Sequence, residues 1–97
     1  MDIQFEWDSA KASANLRKHG VAFEEAEAVF SDDLALLIDD PDHSDVEDRF
    51  VLLGLSAVPR ILAVVHAHRS AQDTIRIISA RKATKAERTT YVKRPRP

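Results

Sequence analysis

The chain has 97 residues, of which 44% are hydrophobic and 31% charged, a balance that excludes an intrinsically disordered chain and suits one compact domain over residues 1–97. It has no cysteine, which excludes disulfides and thiolate metal sites. The net charge of −2 conceals an asymmetry: residues 1–50 carry 14 Asp+Glu against 4 Lys+Arg, and residues 51–97 carry 2 against 10. A split of this kind suits one face for a polyanion and another for a basic partner, or two halves that neutralise each other inside the fold.

Ile3, Phe5 and Trp7 alternate with Asp2, Gln4 and Glu6, which predicts a short half-exposed strand. The segment has neither the basic start nor the apolar run of a signal peptide. No apolar stretch approaches the ~20 residues of a membrane span, so a cytoplasmic location with no membrane partner is the expectation. Asp8 follows as a helix N-cap, with a helix over about Ser9–Lys18 stopped by Gly20. Lys11, Asn15 and Lys18 share one face of it at i, i+4 and i+7. A second helix spans about Phe23–Phe30, with Phe23, Ala26, Val29 and Phe30 inward and Glu24, Glu25 and Glu27 facing water.

Four strands are predicted next, at about Leu34–Asp39, Arg49–Leu55, Arg60–Ala67 and Asp73–Ala80. The connections, Pro41 to Ser44, Ser56 to Pro59 and Ser70 to Asp73, are short and rich in turn formers, which favours an antiparallel meander. "FVLLGL" and "ILAVV" are apolar at successive positions, so both faces of the sheet need cover. Two helices can cover one face; the last helix, a second subunit or another protein must cover the other. That last helix opens on Thr84-Lys85-Ala86-Glu87, a capping box. The fold class is therefore α+β: a small antiparallel sheet, formed by a four-stranded meander plus the short N-terminal strand, with two N-terminal helices and one C-terminal helix.

The stretches "FEWDSAKASANLRKHGVAFEEAEAVF", "DRFVLLG" and "IRIISARKATKAERTTY" resemble, in order, the opening, middle and end of the BrnT family of type II toxins. The resemblance covers nearly the whole chain. It implies a RelE-like fold and a metal-independent ribonuclease that needs no cofactor and inhibits translation. It also implies a BrnA-type ribbon-helix-helix antitoxin that neutralises the toxin and through which alone the complex would contact DNA. A homodimer or heterotetramer would suit such a pair. "VVHAHRS", Val64 to Ser70, departs from the family, which more often carries an aromatic and a polar or acidic residue at His66 and His68.

Metal-free RNA cleavage turns the 2′-hydroxyl onto the adjacent phosphate. It requires a base, cations for the charge on phosphorus, and an acid for the leaving 5′ oxygen. Arginine's planar fork fits phosphate oxygens in pairs. The resemblance implies that Lys11 belongs to the active site; with it, Arg69, Arg76, His66 and His68 are the catalytic candidates. A short hairpin brings Arg69 to within one or two residue steps of Arg76. Arg81 falls near Arg60 or the last helix, and with Lys85 and Arg88 forms the RNA-binding candidates. His66 and His68 alternate on one strand face and titrate near ~6.5 when unperturbed. Each candidate also has a plainer explanation, as a solvated helix face for Lys11 or a surface ion pair for the arginines. His43 could join the two histidines, but the pair without an obvious third ligand is no metal site, and Glu47 is a possible orienting carboxylate. Beside the ribonuclease stands a non-catalytic binding module acting with the antitoxin in transcriptional autoregulation. In either case the apolar sheet is expected to bind a partner, with Arg81, Lys85 and Arg88 at the rim.

Overall fold

The structure is a computed structural model that describes residues 3–39, 49–69 and 73–94, with residues 39 and 69 described by backbone alone. The turn at Pro41 to Ser44, His43, Glu47 and the 70–72 connection lie outside the described residues.

The elements run β1 (Gln4–Glu6), α1 (Ser9–His19), α2 (Phe23–Ala26), a 3-10 turn (Glu27–Ser31), β2 (Leu36–Asp39), β3 (Phe50–Leu55), β4 (Ile61–Arg69), β5 (Thr74–Lys82) and α3 (Lys85–Lys93). They build one five-stranded sheet in the order β1-β5-β4-β3-β2. Strands β2 to β5 form the antiparallel meander, whereas β1 lies parallel to β5 with Phe5 opposite Ile75. The architecture is α+β.

Local chemistry sets the boundaries. The Asp8 carboxylate accepts from Lys11 N at 3.0 Å and starts α1. Gly20 ends it at φ 70, a left-handed conformation that spares glycine a steric cost, and donates to Leu16 O at 2.9 Å. The capping box of α3 is present in full: Glu87 N donates to Thr84 Oγ1 at 3.1 Å and Thr84 N to Glu87 Oε1 at 2.8 Å.

Each sheet face has its own core. On one side Val21, Phe23, Ala26 and Val29 from the helical layer pack on Leu62, Val64, Ile75, Ile77 and Ala80. On the other, Tyr91 of α3 packs with Val51, Leu53 and Ala63. Hence α3 supplies the second cover over β3 and β4, and the sheet centre is not left open for a partner.

The second helix differs from expectation. It is helical only to Ala26 and then tightens into the 3-10 turn. Glu25 does not face water. Its carboxylate is gripped by Arg60, with Nε at 2.8 Å and a terminal nitrogen at 2.7 Å, and accepts from Ser56 Oγ at 2.6 Å. Arg60 also donates to Gly20 O at 3.0 Å, so one guanidinium ties α1, α2 and the β3–β4 turn together. These bonds, Arg60's first, hold Glu25 below the usual carboxylate range.

Strand β1 accompanies β5 only as far as Arg76. Farther along the same edge the Asn15 side chain of α1 replaces a strand. It accepts from Ala80 N at 3.1 Å and donates to Ala80 O at 2.8 Å and to Val21 O at 2.9 Å. A buried amide satisfied three ways fixes α1 against the sheet. Lys11 and Lys18 are exposed on either side of it.

Candidate active site

The β4–β5 hairpin sets the arginines. Arg69 pairs with Thr74 in the backbone ladder, and Arg76 pairs with Ala67. The two arginines therefore sit two residue steps apart on neighbouring strands, as the short connection predicts. Arg76 lies between Ile75 and Ile77, both buried in the helical-layer core, so its side chain leaves from the opposite face of the sheet.

Strand β1 brings a carboxylate to this place. Glu6 is the direct register partner of Arg76, and Arg76 donates to Glu6 Oε2 at 3.0 Å. Their side chains are 31% and 35% exposed, so the pair is open to solvent and to a ligand. One residue past β1's last neighbour, Asp8 begins α1. Its pKa is lowered first by the hydrogen bond from Lys11 N, and further by the charges of Lys11 and Arg76. Asp8 thus feels the charges of both Lys11 and Arg76 at the edge of the sheet. Sequence reasoning missed Glu6. The polar parity of Gln4 and Glu6 against Phe5 and Trp7 signals an outward face, but the parallel pairing that aims Glu6 at Arg76 is a contact between residues 70 positions apart.

The histidines do not join this cluster. His66 is 4% exposed and stacks edge-on against Phe30 at 4.9 Å between ring centroids, with Phe50 at 6.2 Å. Burial pushes its pKa down, so it sits neutral in the helical-layer core. His68 is exposed and pairs with Ile75, which gives it the parity opposite to Arg76. The structure therefore separates both histidines from the face that carries Arg76.

The three cations assigned to RNA binding fall elsewhere. Arg81 pairs with Ala63 in the ladder, and its guanidinium makes a forked ion pair with Glu87 at 2.7 and 3.0 Å. It meets the last helix, as expected, and holds it against β5. Arg88 donates to Ala83 O at 2.8 Å. Arg88 and Lys85 line an open groove beside Ile61, at the opposite end of β4 from Arg69. Among the described residues, no three His, Asp or Glu side chains come together as metal ligands. No described helix is long and apolar enough to cross a membrane.

An α+β sheet with a half-exposed arginine-carboxylate pair, Arg76 with Glu6, at its edge defines the class of the domain. Residues 7–87 match the family described as the ribonuclease toxin, BrnT, of type II toxin-antitoxin systems, and the chain belongs to that family. The fold is similar to the 1.1 Å crystal structure of the Brucella abortus ribonuclease toxin BrnT, with TM-score 0.64 and 26% identity over 87% of this chain and 100% of that one. No curated protein matched the sequence.

Proposed function

We propose that this chain is the toxin of a type II toxin-antitoxin system and an endoribonuclease that cleaves RNA without a metal, acting in the cytoplasm to stop translation. The observation that carries the reading is the Arg76–Glu6 pair at the sheet edge, two residue steps along the hairpin from Arg69. A half-exposed ion pair contributes only about 0–1 kcal/mol to stability, so folding alone gives little reason for it.

In this reading Arg76 and Arg69 hold the scissile phosphate, and their charge offsets the extra negative charge that develops on phosphorus. Lys11 contacts a neighbouring phosphate. Glu6 orients Arg76 and accepts the 2′-hydroxyl proton; the 2′ oxygen then attacks phosphorus, the bond from phosphorus to the 5′ oxygen breaks, and solvent water protonates the leaving 5′ oxygen. His66 stays in the core, and His68 lies outside the reacting group. A BrnA-type ribbon-helix-helix antitoxin would neutralise the toxin as a heterotetramer, with DNA contacted only by the antitoxin.

The test is cleavage of a labelled RNA by purified protein in excess chelator. Appearance of fragments ending in 2′,3′-cyclic phosphate supports the proposal. Intact RNA after hours, with RNA binding retained, would favour the non-catalytic module instead.

A further inference from the structure

Beside β4, about 26 Å from Arg69 at ordinary strand rise, lies an open groove between α3 and the sheet. Its volume is about 470 Å³, and Ile61, Lys85, Arg88, Thr89, Val92 and Lys93 line it. The five α3 residues among these follow helical spacing, so they form one stripe along the helix. The floor is aliphatic. Val92 is 58% exposed, and Leu55, which is the register partner of Ile61 on the same sheet face, is 44% exposed and extends the strip. Among the described residues the lining holds three cations and no acid. Glu87, the acid of the first turn, is occupied by Arg81 on the other side of the helix.

We infer that this groove receives an acidic amphipathic helix of a protein partner. Two features select that occupant. The aliphatic strip suits leucine-like anchors at helical spacing, and Lys85, Arg88 and Lys93 suit flanking carboxylates. Among the described residues no aromatic side chain lines the groove to stack a base, which disfavours single-stranded RNA. A second copy meeting it face to face would set like charges against each other. The inference deepens the toxin-antitoxin reading, which supplies the reason for a protein partner, and it is independent of the ribonuclease centre at the other end of β4.

The probes are a fluorescent 16-residue peptide with leucines at helical spacing flanked by glutamates, its scrambled isomer of equal charge, and a 16-nucleotide single-stranded RNA. Binding is followed by anisotropy and by amide shifts of the isotopically labelled protein. The amphipathic peptide should bind at least tenfold more tightly than the scrambled one and shift Ile61 and Val92. Val92→Asp and the pair Lys85→Glu with Arg88→Glu should each weaken it at least tenfold. Val92→Asp should leave RNA cleavage unchanged, a readout that does not depend on the peptide. Equal binding of the scrambled peptide, no binding at millimolar peptide, shifts centred elsewhere, or displacement of the peptide by the RNA would each overturn the inference.

Discussion

Tyr91 of α3 donates its phenolic hydroxyl to Asp32 Oδ2 at 2.5 Å, joining residues 59 positions apart. The same oxygen accepts from Leu55 N at 2.9 Å, and Oδ1 accepts from Leu34 N at 2.9 Å. Burial by itself would raise the Asp32 pKa. Three hydrogen bonds and the charge of Arg94 outweigh it, and the carboxyl is held below its ordinary value. Arg94 in turn donates to the carbonyls of Leu34, at 2.9 Å, and Ala35. The last helix is therefore pinned to the β2–β3 end by one carboxylate and one guanidinium. Tyr91→Phe should cost about 1–2 kcal/mol, because it removes a hydrogen bond to a charged group while keeping the ring in the core. Urea denaturation measures it; an unchanged midpoint would show that the bond contributes nothing.

Glu87 supplies a pH prediction. The Arg81 fork, with help from Thr84, lowers its pKa to about 2. A depressed carboxylate contributes stability that is fully present above its unfolded value, near 4.5, and is lost as pH falls toward 2. Arg81 is 35% exposed, so solvent screening discounts the full linkage value to about 1–2 kcal/mol. Stability of the wild type should fall over that window, and Glu87→Gln should flatten part of the fall. Identical slopes in the two proteins would contradict the assignment.

Gly54 sits where β3 passes under the 3-10 turn. A Cβ there would meet Val29 Cγ1 at 2.8 Å, Asp32 Oδ2 at 3.2 Å and Ala35 Cβ at 3.3 Å. Gly54→Ala should destabilise by about 1–3 kcal/mol through overpacking, and it should disturb the Asp32 cluster that holds Tyr91. Thermal melts of Gly54→Ala, alone and combined with Tyr91→Phe, should show less than additive losses.

The histidines give a prediction of small effect. His68→Ala should change RNA cleavage by no more than about threefold, and the pH profile should lack the break near ~6.5 that an imidazole base imposes. His66→Ala should instead lower stability by about 2–4 kcal/mol through the cavity left between Phe30 and Phe50. A hundredfold loss of activity in a folded His68→Ala protein would restore the imidazole to the reaction.

Local patterns carried much of the fold. The caps at Asp8, Gly20 and Thr84, and the continuous apolar runs of β3 and β4, depend on neighbours in sequence and were legible there. The parallel pairing of β1 with β5 was not, because Phe5 and Ile75 meet only after the intervening chain has folded. Glu25 illustrates the same limit: a helix-surface glutamate by periodicity, it becomes a half-buried ligand because Arg60 arrives from a distant turn. For the site, the hairpin spacing was enough to bring Arg76 near Arg69. Strand alternation, which grouped His66 with His68, was also correct. What it could not supply was which face the helical layer would cover, and that choice buried His66 and separated both histidines from Arg76.

The most direct test of the central claim is single-turnover cleavage of a labelled RNA in excess chelator by wild type, Arg76→Ala and Glu6→Gln, with melting temperatures measured alongside. Wild type should cleave without metal. Both variants should lose about 10²–10³ in rate, roughly 3–4 kcal/mol of barrier, while their melting temperatures stay close to wild type. Variants that fold and cleave at the wild-type rate would contradict the account.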